Sequence, residues 1–516
     1  MSQTMSANNR RIAKNTIFLY VRMLFTMGIG LVTSRVVLQV LGVDDFGVYN
    51  VVGGVVAMFG FINSSMSGAT SRFLTYGLGK SDEVYLKKIF SLSLEIHIAI
   101  SIVILILSET IGLWFLNNKL DIPPESMYAA NWVYQCSVIS AVISITQVPY
   151  NAAIIAHENM NVFAYVEILN SILKLVILFV LYAVAGNKLM IYGFLVLGVS
   201  FVVAFIYRFY CLKHYRECRF TFTKDRALIK PIFSFFGWDL YGNLSTIMRT
   251  QGVNMLINIF FGVIANTAYG IAMQVQGAVG AFSSNIITAV RPQIIKNYAS
   301  GDYNAMKHLI YASSKYIFML LVAISIPVII EMDFLLKIWL GEVPLYSVWL
   351  CRLSIFFLYF STLSFIMVTG AHATGKIKIP SLINGSIYLS VVPISYIAFK
   401  HGGSIYIPFI CNAIFVFFGC CMNLYAIKRQ IAQFAFWSYF SEVILRCALA
   451  TFCAAIVPAV IYFSVSYGWV RLGLEIMASV VGVSVATLYI VSENNEREII
   501  FAKIKDMFIK WKIMRR

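Results

Sequence analysis

Runs of mostly apolar residues recur along the whole 516-residue chain. Each is long enough to cross a hydrocarbon core of about 30 Å as a helix of roughly 20 residues. Fourteen can be drawn, centred near 16–41, 47–70, 89–115, 129–153, 162–185, 189–212, 233–260, 265–290, 311–332, 346–370, 379–399, 404–426, 441–465 and 472–491. A spanning helix pairs all its backbone groups within itself, so the fold class expected is an all-α integral membrane protein. Composition agrees, because 60% of residues are hydrophobic and 12% charged, more apolar sequence than a water-soluble core requires.

Residues 41–93 and 261–313 read as one segment written twice. A gapless shift of 220 positions puts Gly42 on Gly262, Val43 on Val263, Tyr49 on Tyr269, Val55 on Val275 and Gly60 on Gly280. It also puts Ser64 on Ser284, Ala69 on Ala289, Asp82 on Asp302, Lys87 on Lys307 and Ser93 on Ser313. The shift keeps apolar spans and polar loops in phase, and its length matches six spans with their loops. The expected organisation is therefore an N-terminal lobe of six spans (1–212), a linker (213–232), a second lobe of six (233–430), two further spans (431–492) and a tail (493–516). Like halves that rock against one another suit a transporter working by alternating access.

The formal net charge of +17 would suggest nucleic acid on a soluble protein. Here the basic residues lie between apolar spans, so the positive-inside rule accounts for them and no nucleic-acid partner is expected. Arg10, Arg11 and Lys14, and the central Lys213, Arg216, Arg219, Lys224, Arg226 and Lys230, fall on one side. Asp44, Asp45, Asp121, Glu125, Glu331 and Asp333 fall on the other. The expected placement is a bacterial cytoplasmic membrane, multi-pass, with both termini cytoplasmic. The start, MSQTMSANNRRIAKN, shows no cleavage site after the first apolar run, which reads as a retained span. In the tail, Ile500, Ile504, Met507, Phe508 and Trp511 share a helical face, with Lys503, Lys505, Lys510 and Lys512 elsewhere. That pattern suits a helix lying on an anionic leaflet and touching membrane lipids.

No catalytic constellation appears. There is no Walker-type phosphate loop, the nine cysteines form no CxxC pair, and the six histidines have no metal-ligand spacing. No enzyme, metal or bound cofactor is expected. A proton, a sodium ion or the membrane potential is left as the coupling force.

Charges inside spans are costly and usually face a cavity or a partner. Arg22 in span one and Arg249 in span seven lie on equivalent helices. The repeat maps position 22 onto 242, two helical turns before 249, so both fall on one face. A planar guanidinium suits an anionic substrate group. The competing reading is that each snorkels or pairs locally, with Asp239 available in span seven. Arg35 and Lys174 complete the candidate substrate-binding cations. Asp239 and Glu167 are the candidate ion-coupling acids. Glu167 and Lys174 are two turns apart on span five, too far for a direct pair. Glu442 and Arg446, at i and i+4, read as a structural ion pair.

The stretch LGVDDFGVYNVVGGVVAMFGFINSSMSGATSRFLTYGLG resembles the signature of bacterial polysaccharide flippases of the O-antigen type, through Gly42, Phe46, Gly47, Tyr49 and Arg72. VPYNAAIIAHENM, at the end of span four, is similar to the same family. The family belongs to the multidrug/oligosaccharidyl-lipid/polysaccharide exporter superfamily. The resemblance implies two six-helix lobes in a V with a cationic central cavity and two added C-terminal helices. It implies carriage of an undecaprenyl-pyrophosphate-linked oligosaccharide for surface polysaccharide assembly. Glycosyltransferases and a polysaccharide polymerase are the implied partners. Arg22 corresponds by position to a cavity arginine of lipid II flippases. Two other readings stand beside it: a cation-coupled multidrug exporter of the same superfamily, which needs an acid such as Asp239, and a non-transporting scaffold of a glycan-assembly complex.

Overall fold

The computed structural model describes residues 2–57, 60–118, 122, 124–184, 186–221, 226–493 and 496–498, and every regular element among them is helical. In chain order these are α1 (Ser2–Ala57), α2 (Gly60–Lys80), α3 (Glu83–Leu107), α4 (Leu113–Asn118), α5 (Pro124–Ala156), α6 (Met160–Ala183), α7 (Lys188–His214) and α8 (Arg226–Ala299). They continue as α9 (Tyr303–Ile330), α10 (Met332–Leu340), α11 (Ser347–Thr374), α12 (Lys378–Lys400), α13 (Ile407–Lys428), α14 (Phe436–Tyr439), α15 (Arg446–Ser464) and α16 (Trp469–Ala486).

Ten helical segments among the described residues are long and apolar enough to cross a membrane. They coincide with spans three to six and nine to fourteen of the sequence reading. The other four lie on α1, α2 and α8, where boundaries differ from expectation. The backbone of α1 stays helical through Asp44 and Asp45, where a loop was expected, and Asp45 accepts a hydrogen bond from Ser126 Oγ at 3.4 Å. Spans seven and eight are joined in α8, broken only at Gly262 (φ 80°, ψ −173°). That conformation belongs essentially to glycine, so the chain bends there without a loop.

The chain divides into two compact units. One comprises Met1–Ser245, Thr288–Asp302 and His372–Gly385; the other comprises Thr246–Ile287, Tyr303–Ala371 and Ser386–Arg516. In the first, Ala152, Ala153 and Ala156 on α5 are fully buried beside Phe90 of α3 and Tyr207 of α7. Small side chains let membrane helices approach closely. Between α3 and α4 the helix widens into a π turn (Ser108–Gly112), and Tyr134 on α5 donates to the Ser108 carbonyl at 2.8 Å. In the second unit α15 and α16 pack together and against α9. A second π turn, Phe440–Leu445, precedes α15. Its extra residue per turn moves Glu442 out of register with Arg446. Glu442 accepts from Ser438 Oγ at 2.6 Å instead of forming the expected ion pair. The amphipathic tail residues Ile500 to Trp511, and Asp121, lie outside the described residues.

A polar network closes one end of the first unit. Glu158, in the short connection between α5 and α6, is buried and takes a left-handed backbone (φ 61°). Its carboxylate binds Arg11 Nε at 3.2 Å, Lys296 Nζ at 2.5 Å and Gln293 Nε2 at 2.6 Å. Three donors on one carboxylate offset both its burial and its backbone strain. Beside it, His157 stacks on Tyr215 at 4.1 Å and bonds Glu217 of the linker.

Burial works to raise the Glu217 pKa, but the hydrogen bond and charge of His157 prevail and hold it below the usual carboxylate value. A depressed acid contributes stability that is present above its unfolded pKa, about 4.3, and is lost as pH falls through the lower folded value. Glu217→Gln is therefore expected to melt below the parent at neutral pH, with the gap closing as pH falls below about 4. A melting difference independent of pH would contradict this.

Candidate functional site

In the first unit a buried charge cluster forms where α2, the two ends of α8 and the end of α11 meet. Asp239 is at its centre. Its Oδ2 accepts from Asn243 Nδ2 at 3.2 Å, one helical turn along α8. The same amide donates to Ser65 Oγ of α2 at 2.8 Å. Oδ1 lies 3.6 Å from His372 Nε2, within ion-pair range but long for a hydrogen bond. Arg291 Nη2 lies 3.4 Å from His372 Nδ1. A guanidinium only donates, so Nδ1 accepts and a neutral imidazole carries its proton on Nε2, toward Asp239. Arg291 is an electrostatic neighbour of the carboxylate.

Gly68 on α2 makes room for the cluster. A Cβ there would lie 3.3 Å from Asp239 Oδ2 and 3.6 Å from Arg291 Nη2. One turn further along α2, buried Arg72 stacks over Phe73 at 4.6 Å and Tyr76 at 4.9 Å and donates to the Ala373 carbonyl at 3.2 Å. Asp239 thus sits beside one guanidinium, Arg291, and one imidazole, His372, which itself has Arg72 as a charged neighbour. Gain or loss of one proton there changes the attractions in the cluster. Among the described residues no group of three or more His, Cys, Asp or Glu could hold a metal ion.

Glu167 and Arg22 form a smaller group in the same unit. Tyr207 donates to Glu167 Oε1 at 3.2 Å. Arg22 has Glu167 and Tyr207 as electrostatic neighbours and lies over the Phe163 ring at 4.9 Å. Lys174, on the same helix as Glu167, is exposed. The Arg35 side chain lies outside the described residues.

In the second unit Arg249 is buried, and among the described residues no carboxylate pairs with it. Nη1 donates to Asn412 Oδ1 at 3.1 Å. The guanidinium lies over the rings of Tyr388 at 4.6 Å and Phe357 at 5.3 Å, with Tyr269 an electrostatic neighbour. Aromatic faces and an amide carry the charge in place of a counter-ion.

The sequence reading names Asp239, Arg22 and Arg249; it does not name Arg291, His372, Asn243 or Tyr207, which stand beside Asp239 or Glu167. Arg291 lies one residue beyond the span drawn at 265–290. A signal was available, since Arg72 and Arg291 end equivalent helices of the repeat, one residue out of the 220-position register. Nothing in the spacing points to His372, which arrives from a distant helix.

No protein-family model and no curated protein matches the chain. Solved structures do. A crystal structure of MATE in the bent conformation superposes with a TM-score of 0.71 at 13% identity, over 82% of this chain and 96% of that one. An outward-facing multidrug resistance MATE family transporter of the MOP superfamily gives 0.69 at 14% identity, with the same coverage. A mutant Vibrio cholerae MATE transporter gives 0.65 at 16% identity, over 83% and 98%. The likeness establishes the fold: an all-α, multi-pass membrane protein of two pseudo-symmetric lobes.

These likenesses are to multidrug transporters and overturn the assignment to O-antigen-type polysaccharide flippases. The lipid-linked oligosaccharide, the glycosyltransferases and the polymerase fall with it as partners. The side chains supply a physical reason. A pyrophosphate calls for several uncompensated cations, whereas Arg22 already has Glu167 beside it. The motif through Gly42, Phe46, Gly47 and Tyr49 is therefore no guide to substrate here.

The cluster's tightness yields a prediction. Gly68→Val is expected to cost about 1–3 kcal/mol, the range for overpacking, by pushing apart Asp239 and Arg291. Gly198→Val is the control, since a Cβ there meets nothing within 4 Å. Equal melting temperatures for the two variants in detergent would refute the steric reading.

Proposed function

We propose that this protein is a cation-coupled exporter of small molecules. Asp239 binds and releases the driving cation, a proton, and Arg249 contributes to substrate binding in the second unit. The observation that carries the proposal is the Asp239 cluster: a buried carboxylate within 3.6 Å of a histidine, beside an arginine, on α8. An intramembrane acid is expensive to keep and marks ion or proton pathways. The MATE-like fold supports the same class, because its solved relatives include a multidrug resistance transporter.

Protonation neutralises Asp239 and removes its attraction for Arg291. Deprotonation restores it. A carrier needs such a switch if binding a cation is to bias one of its states. Glu167 is the secondary candidate, because Tyr207 and Arg22 already stabilise its charge. Around Arg249, the rings of Tyr388 and Phe357 are occupied by the guanidinium. That favours neutral or acidic aromatic compounds over organic cations at this point, since like charge repels and the ring faces are taken.

Expression in a transporter-deficient bacterial strain, scored by accumulation of a panel of aromatic compounds, tests the reading. Asp239→Asn is expected to lower efflux on the order of tenfold or more at unchanged protein level. Asp239→Glu should retain part of it. Undiminished efflux by Asp239→Asn would remove Asp239 from the coupling role.

A further inference from the structure

The first two turns of α16 carry Arg471 and Glu475, one helical turn apart. Both are buried, and so is Glu331 at the end of α9. Relative exposures are 7% for Arg471, 2% for Glu331 and 0% for Glu475. The guanidinium forks onto Glu331: Nε donates to Oε1, and Nη2 donates to Oε2 at 2.8 Å. Its remaining amine, Nη1, donates to the Tyr462 carbonyl at 3.4 Å. The rings of Tyr462 and Tyr467 flank it at 4.5 and 5.2 Å. The hydrogen-bonding capacity of Arg471 is thus largely spent on Glu331 and the backbone.

Neither oxygen of Glu475 accepts a hydrogen bond from a nitrogen or hydroxyl donor among the described residues, and its carboxyl lies within hydrogen-bonding reach of that of Glu331. Its charged neighbours are Glu331 and Arg471. Of the groups packed around the trio, α15 contributes Tyr462 and the α15–α16 connection Tyr467. From α10, Asp333 acts on Tyr467. The site therefore holds two carboxyl groups and one guanidinium. With both carboxyls ionised, one negative charge would stand uncompensated at a buried position. Burying an unpaired ion is far more costly than burying a neutral acid. A metal cation would have to sit beside the guanidinium, where like charge opposes it.

The same α9–α16 seam contains an apolar cavity of about 760 Å³, lined by Ala323, Pro327, Leu335, Leu472, Ile476 and Val480. Leu472 and Ile476 lie one turn before and one residue after Glu475. The pocket keeps the surroundings of Glu475 apolar on this side.

We propose that Glu475 is a proton-binding site of the second unit. It carries a proton while Arg471 is held on Glu331, and yields it when that hold is released. On release the O–H bond breaks, the electron pair stays on the carboxylate and the proton passes to water. Arg471 then has a second carboxylate to pair with, so proton binding selects which acid holds the guanidinium. The site is separate from the Asp239 cluster, and its existence does not depend on the exporter reading.

Infrared difference spectroscopy on the full-length protein in lipid nanodiscs at neutral pH provides the test. The parent should show a protonated-carboxyl C=O band that shifts in D2O and is missing from Glu475→Gln. The band should also vanish in Glu331→Gln, although Glu475 remains, because Arg471 then pairs with Glu475 and ionises it. A role confined to packing would not produce that loss. Melting supplies the second measurement. The folded state keeps a proton that the unfolded chain sheds, so the parent should lose stability relative to Glu475→Gln as pH rises. Parallel melting curves, or loss of only carboxylate bands in Glu475→Gln, would overturn the proposal. Conversion of the acid band to a carboxylate band by added Na+ at constant pH would also overturn it, by making the site one for a metal ion.

Discussion

Charge inside an apolar interior must be paired, solvated or neutralised, and this constraint organises the polar part of the structure. Each buried charge meets it differently. Arg471 takes a fork onto Glu331, and Arg249 takes an amide and aromatic faces. Lys315 on α9, almost fully buried, pairs with Glu493 at 3.2 Å and Glu496 at 3.5 Å, which ties the segment after α16 back to the second unit. Burial would raise the Glu493 pKa, but Lys315, with His308 and Arg446, holds it below the usual value. Asp239 is the case in which the solution is adjustable, because its neighbours are the Arg291 guanidinium, the Asn243 amide and the His372 imidazole.

That difference separates structural from functional charge. A charge shared by two carboxylates, as Lys315 is by Glu493 and Glu496, is a fixed joint, and removing Lys315 strands both acids. Asp239 has a 3.2 Å hydrogen bond to Asn243 but only a looser, 3.6 Å approach to His372. A carboxylate held this way can change protonation without dismantling the helices around it, as a coupling site must. Gly68 reinforces the point, since the space it leaves is filled by the Asp239 carboxylate and Arg291.

Much of the architecture was legible in the sequence because lipid demands length and hydropathy, and both are local properties. Spans three to six and nine to fourteen match helices closely. The errors came where local rules met tertiary ones. Asp44 and Asp45 signalled a loop, yet α1 continues through them, with Ser126 as a partner for Asp45. Glu442 and Arg446 had the spacing of a pair until a π turn changed the register. Individual intramembrane acids and arginines were visible, but their partners were not. His372 stands 133 positions from Asp239, and Glu475 stands 144 from Glu331. No spacing rule reaches that far. The short Phe-Gly-x-Tyr motif misled because it is a local pattern within α1 and does not report which side chains meet.

The account's central claim is that a cation gradient drives small-molecule movement through this chain. It is tested most directly with the purified protein in proteoliposomes, by imposing a proton gradient and following a fluorescent aromatic compound across the bilayer. The account predicts movement that follows the direction of the gradient and stops when a protonophore collapses it. Compound movement indifferent to the imposed gradient, or no movement by protein that remains folded in the bilayer, would contradict it.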